Sequence, residues 1–416
     1  MEYDICIIGA GWAGYNAALK AVGLGKKTCI VEEKEIGGTC LNRGCIPTKA
    51  FVYNAGKGLS LAEIQTKKQD IVNRLRAGMS FMISSKKIDY IKGKARIEGP
   101  GLIRVDGEKI KAKFILIATG SAPADLPHLK VDHQKIVSSD DVLNFQEVPK
   151  KMLIIGGGPI GCEFAGIFNA LGCEVSIVEI APQLLPGFDA QVSKKLQQFL
   201  QKAGAHVYTG RGFAEMNLDE FDKVLLAVGR KPFVEELIDK NVNIKNENGL
   251  IEVGRDLSTS IPEIFAAGDC IGGYKLAHVA AYEGELAVNN MFLESKNRDY
   301  SVIPSSVFTT PEVSVIGISE EEARQFGVCY KAVTVYFLSV GMAHIHESTQ
   351  GFAKAIIEIK SGRILGVSII GPQASELINA FSIIMKNGIT LDQLKETIFA
   401  HPSISEIIAE IAKSFE

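Results

Sequence analysis

Two cysteines, Cys40 and Cys45, lie in the run GGTCLNRGCIPTK and are the strongest chemical signal in the chain. On an ideal helix, residues five apart have Cα atoms roughly 8–9 Å apart, whereas a disulfide needs less than about 7 Å. The run also contains Gly44 and Pro47, which can bend the backbone enough to bring the two sulfurs together. A short, bent loop closed by a disulfide is typical of a bond that is made and broken in redox chemistry.

Two other roles for the pair are open at this point. A structural disulfide is one, although so small a loop removes little entropy from the unfolded chain. A zinc site is the other, but zinc usually needs a C-x-x-C pair with further ligands, and no second pair occurs. His344 and His346 would share one face of a strand, yet no cysteines or acids cluster near them in the sequence. Redox chemistry is therefore favoured, and no metal is predicted.

The composition is that of an ordinary globular protein of two or three domains. The chain has 416 residues, of which 46% are hydrophobic, and a formal net charge of −3. That charge gives no reason to expect nucleic acid or an anionic membrane as a partner. No run reaches membrane-spanning length and no basic leader precedes MEYDICIIGAG, so the cytoplasm is the expected compartment. The remaining cysteines are predicted to be buried thiols: Cys6, Cys29, Cys162, Cys173, Cys270 and Cys329.

The elements that must position the cysteine pair begin at the N-terminus. YDICIIGAGWAGYNAALKAVGLGKKTCIVEE predicts a strand, a glycine turn, a helix and a second strand. In the turn, Gly9 permits a tight bend, Gly11 admits a pyrophosphate, and Gly14 lets the helix pack on the strand. Glu32 ends the second strand about 20 residues later, where it can accept hydrogen bonds from ribose hydroxyls. A dinucleotide site is therefore predicted here.

The same pattern recurs in KMLIIGGGPIGCEFAGIFNALGCEVSIVEI, which predicts a second dinucleotide site. Glu179 ends the second strand of this repeat with no arginine directly after it. This favours NAD over NADP, because the extra phosphate of NADP would be repelled. Arg211 and Arg230 are the cations that could reach such a phosphate. The glycines of the second turn are Gly156, Gly158 and Gly161.

The chain changes character after the second repeat. KFILIATGSAP, DKVLLAVGRKP and TSIPEIFAAGDC each predict a strand that ends in a glycine turn. From residue 303 onward, strands of partly alternating polarity are followed by helices, and no glycine fingerprint occurs. This last part predicts an α+β domain with a role other than nucleotide binding.

Nearly end to end, the chain resembles the pyridine-nucleotide disulfide oxidoreductases, and among them most closely the dihydrolipoamide dehydrogenases. The resemblance rests on both glycine turns with their acids and on GGTCLNRGCIPTK, IATGS, AVGRKP, IFAAGDC, LAHVAAYEG, TTPEVSVIG, GRILGVSIIGPQASELI and HPSISE. It implies an α/β fold with two Rossmann-like domains, the NAD domain inserted into the FAD domain, followed by an α+β dimerisation domain. The implied bounds are 1–145 with 255–300 for the FAD domain, 146–254 for the NAD domain and 301–416 for the interface domain.

The resemblance also implies roles for individual residues. Cys40 would exchange with the dithiol substrate, and Cys45 would lie against the flavin as the charge-transfer thiolate. Lys49 would approach the flavin and pair with Glu163. FAD would be held by Gly9, Gly11, Gly14, Glu32, Lys49, Ala95, Gly120, Asp269 and Ala277, and NAD by Gly156, Gly158, Gly161, Glu179 and Gly229.

The terminal run HPSISE would supply the acid–base group. His401 would serve the active site of the other subunit, with Glu406 to orient it. Imidazole can take a thiol proton near neutral pH, and a carboxylate on its other nitrogen fixes the tautomer. The chain departs from the family at Phe399, where another histidine is frequent, and in the short segment TGRGFAEMNLDEFDKVLLAVGR, which would trim one wall of the NAD pocket.

The activity implied is oxidation of protein-bound dihydrolipoamide through the Cys40–Cys45 disulfide and FAD, with reduction of NAD⁺ to NADH. The implied partners are a second copy of the chain and a lipoyl-bearing acyltransferase or glycine-cleavage carrier protein. Glutathione-like and mercuric reductases are alternatives. A glutathione-like reductase would favour basic residues where the chain has Glu179. A mercuric reductase would favour a C-terminal cysteine pair, which the segment IAEIAKSFE lacks. A flavoprotein subunit that docks on a complex, with little activity of its own, is a further alternative.

Overall fold

Three main sheets and the helices that cover them form the protein, which a computed structural model describes over residues 2–234 and 236–415. The first sheet takes its strands from residues 2–117 and 264–266, the second from residues 136–226 and the third from residues 305–371. The chain thus leaves the first sheet, builds the second and returns, as expected for an inserted domain. The predicted α/β fold class is confirmed.

The first domain opens with a parallel βαβ unit of the dinucleotide-binding kind. β1 (Glu2–Ile8) pairs in parallel with β2 (Thr28–Glu32), and α1 (Trp12–Gly23) connects them. Both strands are almost wholly buried, which is typical of a parallel sheet covered by helices. The chain continues with α2 (Gly38–Arg43), α3 (Cys45–Ala55), α4 (Leu61–Ser85), β3 (Asp89–Lys92), β4 (Ala95–Gly99), β5 (Leu102–Val105), β6 (Glu108–Ile117) and β7 (Ser121–Pro123).

The second domain repeats the βαβ unit within a five-stranded parallel sheet. Its elements are β8 (Ile136–Val137), α5 (Ser139–Val142), β9 (Lys151–Ile155), α6 (Pro159–Ala170), β10 (Glu174–Glu179), α7 (Ala190–Lys202), β11 (His206–Thr209) and β12 (Lys223–Leu226). The segment noted as short in the sequence holds two single 3₁₀ turns, Phe213–Glu215 and Leu218–Glu220, between β11 and β12.

The units of packing differ from the domain bounds inferred from the sequence. β8 pairs with β12 and so belongs to the second sheet, although it precedes the predicted bound at residue 146. β13 (Arg230–Pro232) pairs with β7, and Val234, Leu237 and Ile251 pack in the core of the first domain, before the predicted bound at 255. The inserted unit therefore lies between β7 and β13. The chain then adds β14 (Asn246–Glu247), β15 (Leu250–Ile251), β16 (Ile264–Ala266) and α8 (Ala277–Phe292).

The third domain is an antiparallel sheet with helices on one face. Its elements are β17 (Ser305–Val307), β18 (Glu312–Gly317), α9 (Glu320–Gln325), β19 (Tyr330–Tyr336), α10 (Gly341–Ile345), β20 (Phe352–Glu358), β21 (Ile364–Gly371), α11 (Ala374–Lys386), α12 (Leu391–Lys395) and α13 (Glu406–Lys413). The strand placement of His344 and His346 was wrong, because His344 lies in α10 and bonds through its Nε2 to the carbonyl of Leu338 at 2.8 Å.

The other face of the third sheet packs on the second domain. Phe352 and Ile370 join the apolar core that α6 and α7 cover. Beside them, Lys354 Nζ lies 2.7 Å from Asp189 Oδ2, and these two side chains are only 2% and 1% exposed. Asp189 is also the N-cap of α7, where it accepts hydrogen bonds from the backbone N–H groups of Gln191 and Val192. A buried ion pair therefore ties the inserted domain to the third domain.

The glycine of closest packing in the first βαβ unit gives a direct test of this fold. A Cβ on Gly14 would lie 1.9 Å from the carbonyl oxygen of Gly9, whereas a Cβ on Gly23, at the end of the same helix, would meet nothing within 4 Å. We expect Gly14→Ala to destabilise the protein by about 3 kcal/mol, because α1 must move away from β1. Gly23→Ala is the control and should leave the apparent melting temperature unchanged or slightly higher. Equal melting temperatures for the two variants would contradict this account of the packing.

Candidate active site

A cavity of about 1010 Å³ receives residues from all three domains. Its volume is at the upper end of the range for ligand sites. The first glycine turn, the cysteine run, the start of α6 and part of α11 all contribute to its lining. The predicted FAD residues that line it are Gly9, Gly11, Glu32, Lys49, Ala95, Gly120, Asp269 and Ala277. Gly14 serves the same site from beneath, because its lack of a Cβ lets α1 approach the turn.

The lining fits a dinucleotide that carries a pyrophosphate. Gly9 has φ +105°, and a Cβ there would lie 2.3 Å from the carbonyl oxygen of Ala118, so only glycine keeps this turn closed. The start of α1 faces the cavity, as a helix that binds phosphate must. Thr119 also lines the cavity, and its buried hydroxyl has no hydrogen-bond partner in the described structure. A polar ligand would satisfy that group.

Hydrogen bonds that no sequence motif predicted hold Asp269 in the cavity lining. Ser121 donates a short hydrogen bond to Asp269. Arg230 Nε donates to the Ser121 hydroxyl at 2.8 Å, and Arg230 Nη2 donates to the Ser121 carbonyl at 2.7 Å. Arg230 is therefore committed to the first nucleotide cavity. Arg211, by contrast, lies next to the second acid, since its backbone N–H donates to the carbonyl of Glu179 at 3.1 Å.

The second glycine turn has the same geometry as the first. Gly156 has φ +108°, and a Cβ on Gly161 would lie 1.9 Å from the Gly156 carbonyl oxygen, the same distance as at Gly14. Gly158 is the N-cap of α6, and Gly229 has φ +124° just before β13. The carboxylate of Glu179 accepts backbone N–H groups of Gly157 at 2.6 Å and Ala181 at 2.7 Å. These two bonds fix the negative charge of Glu179 beside the second glycine turn.

Gly44 breaks what would otherwise be one helix through both cysteines. Cys40 lies in α2, Cys45 begins α3, and between them Gly44 has φ −139° and ψ −114°, outside the helical range. The bend lies at Gly44 and not at Pro47, because Pro47 is in the first turn of α3, where a proline is tolerated. Both cysteines are free thiols in this structure.

The two thiols titrate as a pair, with the proton on Cys40. The hydrogen bond from Cys40, together with the positive charge of Lys49, lowers the pKa of Cys45 to about 7, although burial and Glu163 act in the opposite direction. The same hydrogen bond and burial raise the pKa of Cys40 above its ordinary range. Cys45 is therefore the thiolate of the pair, and Cys40 is the thiol.

Lys49 and Glu163 form an ion pair at the cysteine end of the cavity. Lys49 Nζ lies 2.9 Å from both carboxylate oxygens of Glu163. Glu163 also accepts the backbone N–H of Phe308 at 2.9 Å, and the Lys49 ammonium lies 4.6 Å from the centre of the Phe308 ring. The carboxylate of Glu163, which belongs to the second domain, therefore contacts both the first and the third domain. No motif in the sequence predicted the contacts with Phe308.

Removal of the Lys49 charge should change the acidity of Cys45. We expect Lys49→Met to raise the pKa of Cys45 by about 1–3 units, because the thiolate loses its nearest cation and the carboxylate of Glu163 is left unpaired. The measurement is a pH titration of the long-wavelength absorbance of the two-electron-reduced flavoprotein. Lys57→Met is the matched control, since Lys57 is exposed and its ammonium lies over the ring of Tyr53. An unchanged midpoint in Lys49→Met would contradict the assignment.

The structure joins His401 to Glu406 and places both away from the cysteine pair of the same chain. His401 Nδ1 lies 2.8 Å from Glu406 Oε1, and the other carboxylate oxygen accepts the backbone N–H of Ser403 at 2.8 Å. The hydrogen bond from His401 lowers the pKa of Glu406. The His401 side chain is 77% exposed, and neither residue is among the described residues that line the cavity. Within one chain, this imidazole is free to act elsewhere.

The remaining six cysteines lie outside the cavity lining. Five of the other six cysteines are buried, as predicted, but Cys329 is exposed. The described residues include no group of three or more His, Cys, Asp or Glu side chains that could hold a metal ion. Across residues 2–234 and 236–415, no helix has the length and apolar character needed to cross a membrane.

Comparison with known protein families decides the class. The family model described as pyridine nucleotide-disulphide oxidoreductase matches residues 3–284, and the model of that family's dimerisation domain matches residues 303–412. The chain belongs to the pyridine nucleotide-disulphide oxidoreductase family. The predicted family, the FAD and NAD cofactors and the disulfide redox class are thereby confirmed. The match to the dimerisation domain supports a homodimer.

Relatives of this family member are known from several bacteria. The chain is 36% identical over 446 residues to the dihydrolipoyl dehydrogenase of Chlamydia muridarum (99% of this chain, 96% of that protein). It is 33% identical over 461 residues to that of Bacillus subtilis (99% of this chain, 97% of that protein). Among solved structures, the HOCl-induced flavoprotein disulfide reductase RclA from Escherichia coli is similar, with a TM-score of 0.93, 30% identity and 100% of both chains covered.

Proposed function

We propose that this protein is a dihydrolipoamide dehydrogenase, which oxidises protein-bound dihydrolipoamide and reduces NAD⁺. The proposal rests chiefly on the 36% identity to a dihydrolipoyl dehydrogenase over 99% of the chain. The thiolate of Cys45 beside Lys49, at the end of a cavity that fits a dinucleotide, supports it. The acid Glu179, held by two backbone N–H groups at the second glycine turn, supports NAD as the electron acceptor.

The chemistry follows from the two cysteines. One thiolate of the substrate attacks the sulfur of Cys40, the Cys40–Cys45 bond breaks, and Cys45 leaves as a thiolate stabilised by Lys49. The second substrate sulfur then displaces Cys40, so the cyclic disulfide product departs and two electrons stay on the pair. One of the two dithiol protons ends on Cys40 and the other on an imidazole. FAD held in the cavity would supply the two-electron transfer from the cysteine pair to NAD⁺, so that the Cys40–Cys45 disulfide re-forms, one proton enters the hydride and the other is released.

The acid–base group in this proposal is His401 of a second copy of the chain. His401 is exposed in its own chain, and its partner Glu406 fixes the imidazole through Nδ1. Nε2 is then the nitrogen that faces outward and takes the proton. A homodimer is therefore part of the active site, which agrees with the dimerisation domain at residues 303–412. The lipoyl group would arrive on an acyltransferase or a glycine-cleavage carrier protein.

A disulfide reductase that does not act on lipoamide is the second candidate. The likeness to RclA favours it, since that flavoprotein disulfide reductase matches the whole chain at a TM-score of 0.93. The same cysteine pair would then run in the opposite direction, from the nicotinamide to an oxidised acceptor. The two candidates share the cofactors and differ only in what reacts with Cys40.

An anaerobic spectral titration of the FAD-loaded protein separates the candidates. We expect dihydrolipoamide to produce a long-wavelength absorbance that fades when NAD⁺ is added. An absorbance raised by NADH but not by dihydrolipoamide would overturn the lipoyl proposal and leave the reductase. No response to either would favour a docking subunit without activity of its own. Cys40→Ser is the control, because it blocks entry of electrons from the dithiol and leaves the nicotinamide route intact.

A further inference from the structure

Trp12 is the one tryptophan of the chain, and it stands where the first glycine turn becomes α1. Its indole Nε1 is buried, and no described protein group completes a hydrogen bond with it. Trp12 lines the same cavity as Cys40 and Cys45. A buried donor without an acceptor is costly and uncommon, so this N–H needs a partner that forms at some stage of the reaction.

The backbone brings the segment that carries Trp12 next to the cysteine run. The N–H of Gly37 donates to the carbonyl of Ala10 at 2.8 Å. Gly38 has φ +56°, and a Cβ there would lie 2.7 Å from the Cα of Gly11. Trp12 follows Gly11 by one residue, and Cys40 follows Gly38 by two. The two segments are thus in direct backbone contact.

The sulfur of Cys40 is the acceptor whose acidity responds to the indole. The hydrogen bond with Cys45 and burial raise the pKa of Cys40, and Trp12 acts in the opposite direction. In the described structure the indole N–H makes no hydrogen bond, and a neutral thiol sulfur is only a weak acceptor. A thiolate is a strong one, and a hydrogen bond to it is charge-assisted.

We propose that Trp12 is a positioning residue for Cys40, whose indole N–H donates to the Cys40 sulfur when that sulfur carries the negative charge. When the second substrate sulfur displaces Cys40, the mixed disulfide breaks and its electron pair remains on Cys40. A donor at that sulfur makes it a better leaving group, and in the reverse direction it makes the Cys40 thiolate more available. The inference rests on the disulfide exchange of the proposed function but not on lipoamide as the substrate.

The test measures Cys40 itself in the two-electron-reduced, FAD-loaded protein. Iodoacetamide alkylates the thiolate, and peptide mass mapping gives the rate for each cysteine. We expect Trp12→Phe to raise the pKa of Cys40 by about one unit, since one charge-assisted hydrogen bond is lost. Because Cys40 titrates above neutral pH, its alkylation rate at neutral pH should fall about tenfold. Cys329, which is exposed, is the internal control and should react at the same rate in every variant.

A second replacement separates the N–H from the bulk of the ring. Because Trp12 is the only tryptophan, growth on 3-benzothienylalanine replaces it alone with an isostere that has sulfur in place of N–H. We expect the same tenfold loss with this isostere, with unchanged flavin absorbance per protein. An unchanged rate, or a loss with phenylalanine but not with the isostere, would overturn the proposal. A fall in flavin content with no change in alkylation would also overturn it and assign the N–H to the cofactor phosphates.

Discussion

Cys45→Ser is expected to leave FAD bound and to abolish turnover with dihydrolipoamide, by about 10⁴-fold or more. A serine hydroxyl cannot form the Cys40–Cys45 disulfide, so electrons from a dithiol have no route to the flavin. FAD should stay bound because the other residues that line the cavity, among them the first glycine turn, Glu32 and Asp269, are unchanged. Two quantities are measured on the purified variant: the steady-state rate of NADH formation, which reports turnover, and the flavin absorbance, which reports bound FAD.

Two further measurements make this expectation specific. NADH should still reduce the flavin of Cys45→Ser in a single turnover, since the nicotinamide route does not pass through the cysteines. Cys329→Ser is the matched control, because Cys329 is exposed and lies in the third domain, and it should retain wild-type activity. Full turnover of Cys45→Ser with the dithiol would refute the proposed route of the electrons.

His401→Gln is expected to slow the dithiol step by about 10²–10⁴-fold, the usual range for a lost acid–base group. Glutamine can still bond to Glu406, so the local structure should persist, but it cannot take a proton. Stopped-flow reduction of the flavin by dihydrolipoamide measures this step alone. Oxidation of the reduced flavin by NAD⁺ should proceed at the wild-type rate.

The control for this variant is a histidine outside the site. His128 is exposed and lies between β7 and β8, so His128→Gln should leave both half-reactions unchanged. Mixing inactive His401→Gln subunits with inactive Cys45→Ser subunits is a stronger test of the dimer. A mixed dimer has one site with both wild-type groups only if the imidazole acts across the interface. No recovery of activity in such mixtures, with exchange of subunits verified, would place the acid–base group within one chain or elsewhere.

The features that were predictable from the sequence are those whose geometry is dictated locally. The two glycine turns could be placed from the sequence because only glycine fits their key positions. Some of these positions have positive φ, and at others a Cβ would come too close to neighbouring atoms. The strands and helices of the third domain could be placed because each carries its own apolar period. The helix break between the cysteines was predictable for the same reason, although it lies at Gly44 alone.

What could not be predicted depends on contacts between distant segments. β8 has two residues and no period of its own, so its place in the second sheet is set only by its pairing with β12. Side-chain hydrogen bonds connect Arg230 to Ser121 and Ser121 to Asp269. These bonds join three distant segments and leave no local pattern in the sequence. Cys329 is exposed because no other segment of the described structure covers it, and the sequence around it does not predict this.

The buried ion pair between Lys354 and Asp189 makes the contact between the second and third domains depend on one cation. Lys354 lies between two carboxylates, Asp189 of the second domain and Glu320 of the third. Domains joined by ordinary interfaces usually shift against each other, but here loss of the ammonium would leave the buried carboxylate of Asp189 unpaired, at a cost of about 3–5 kcal/mol. The fixed packing of these two domains is therefore expected to weaken when position 354 loses its charge.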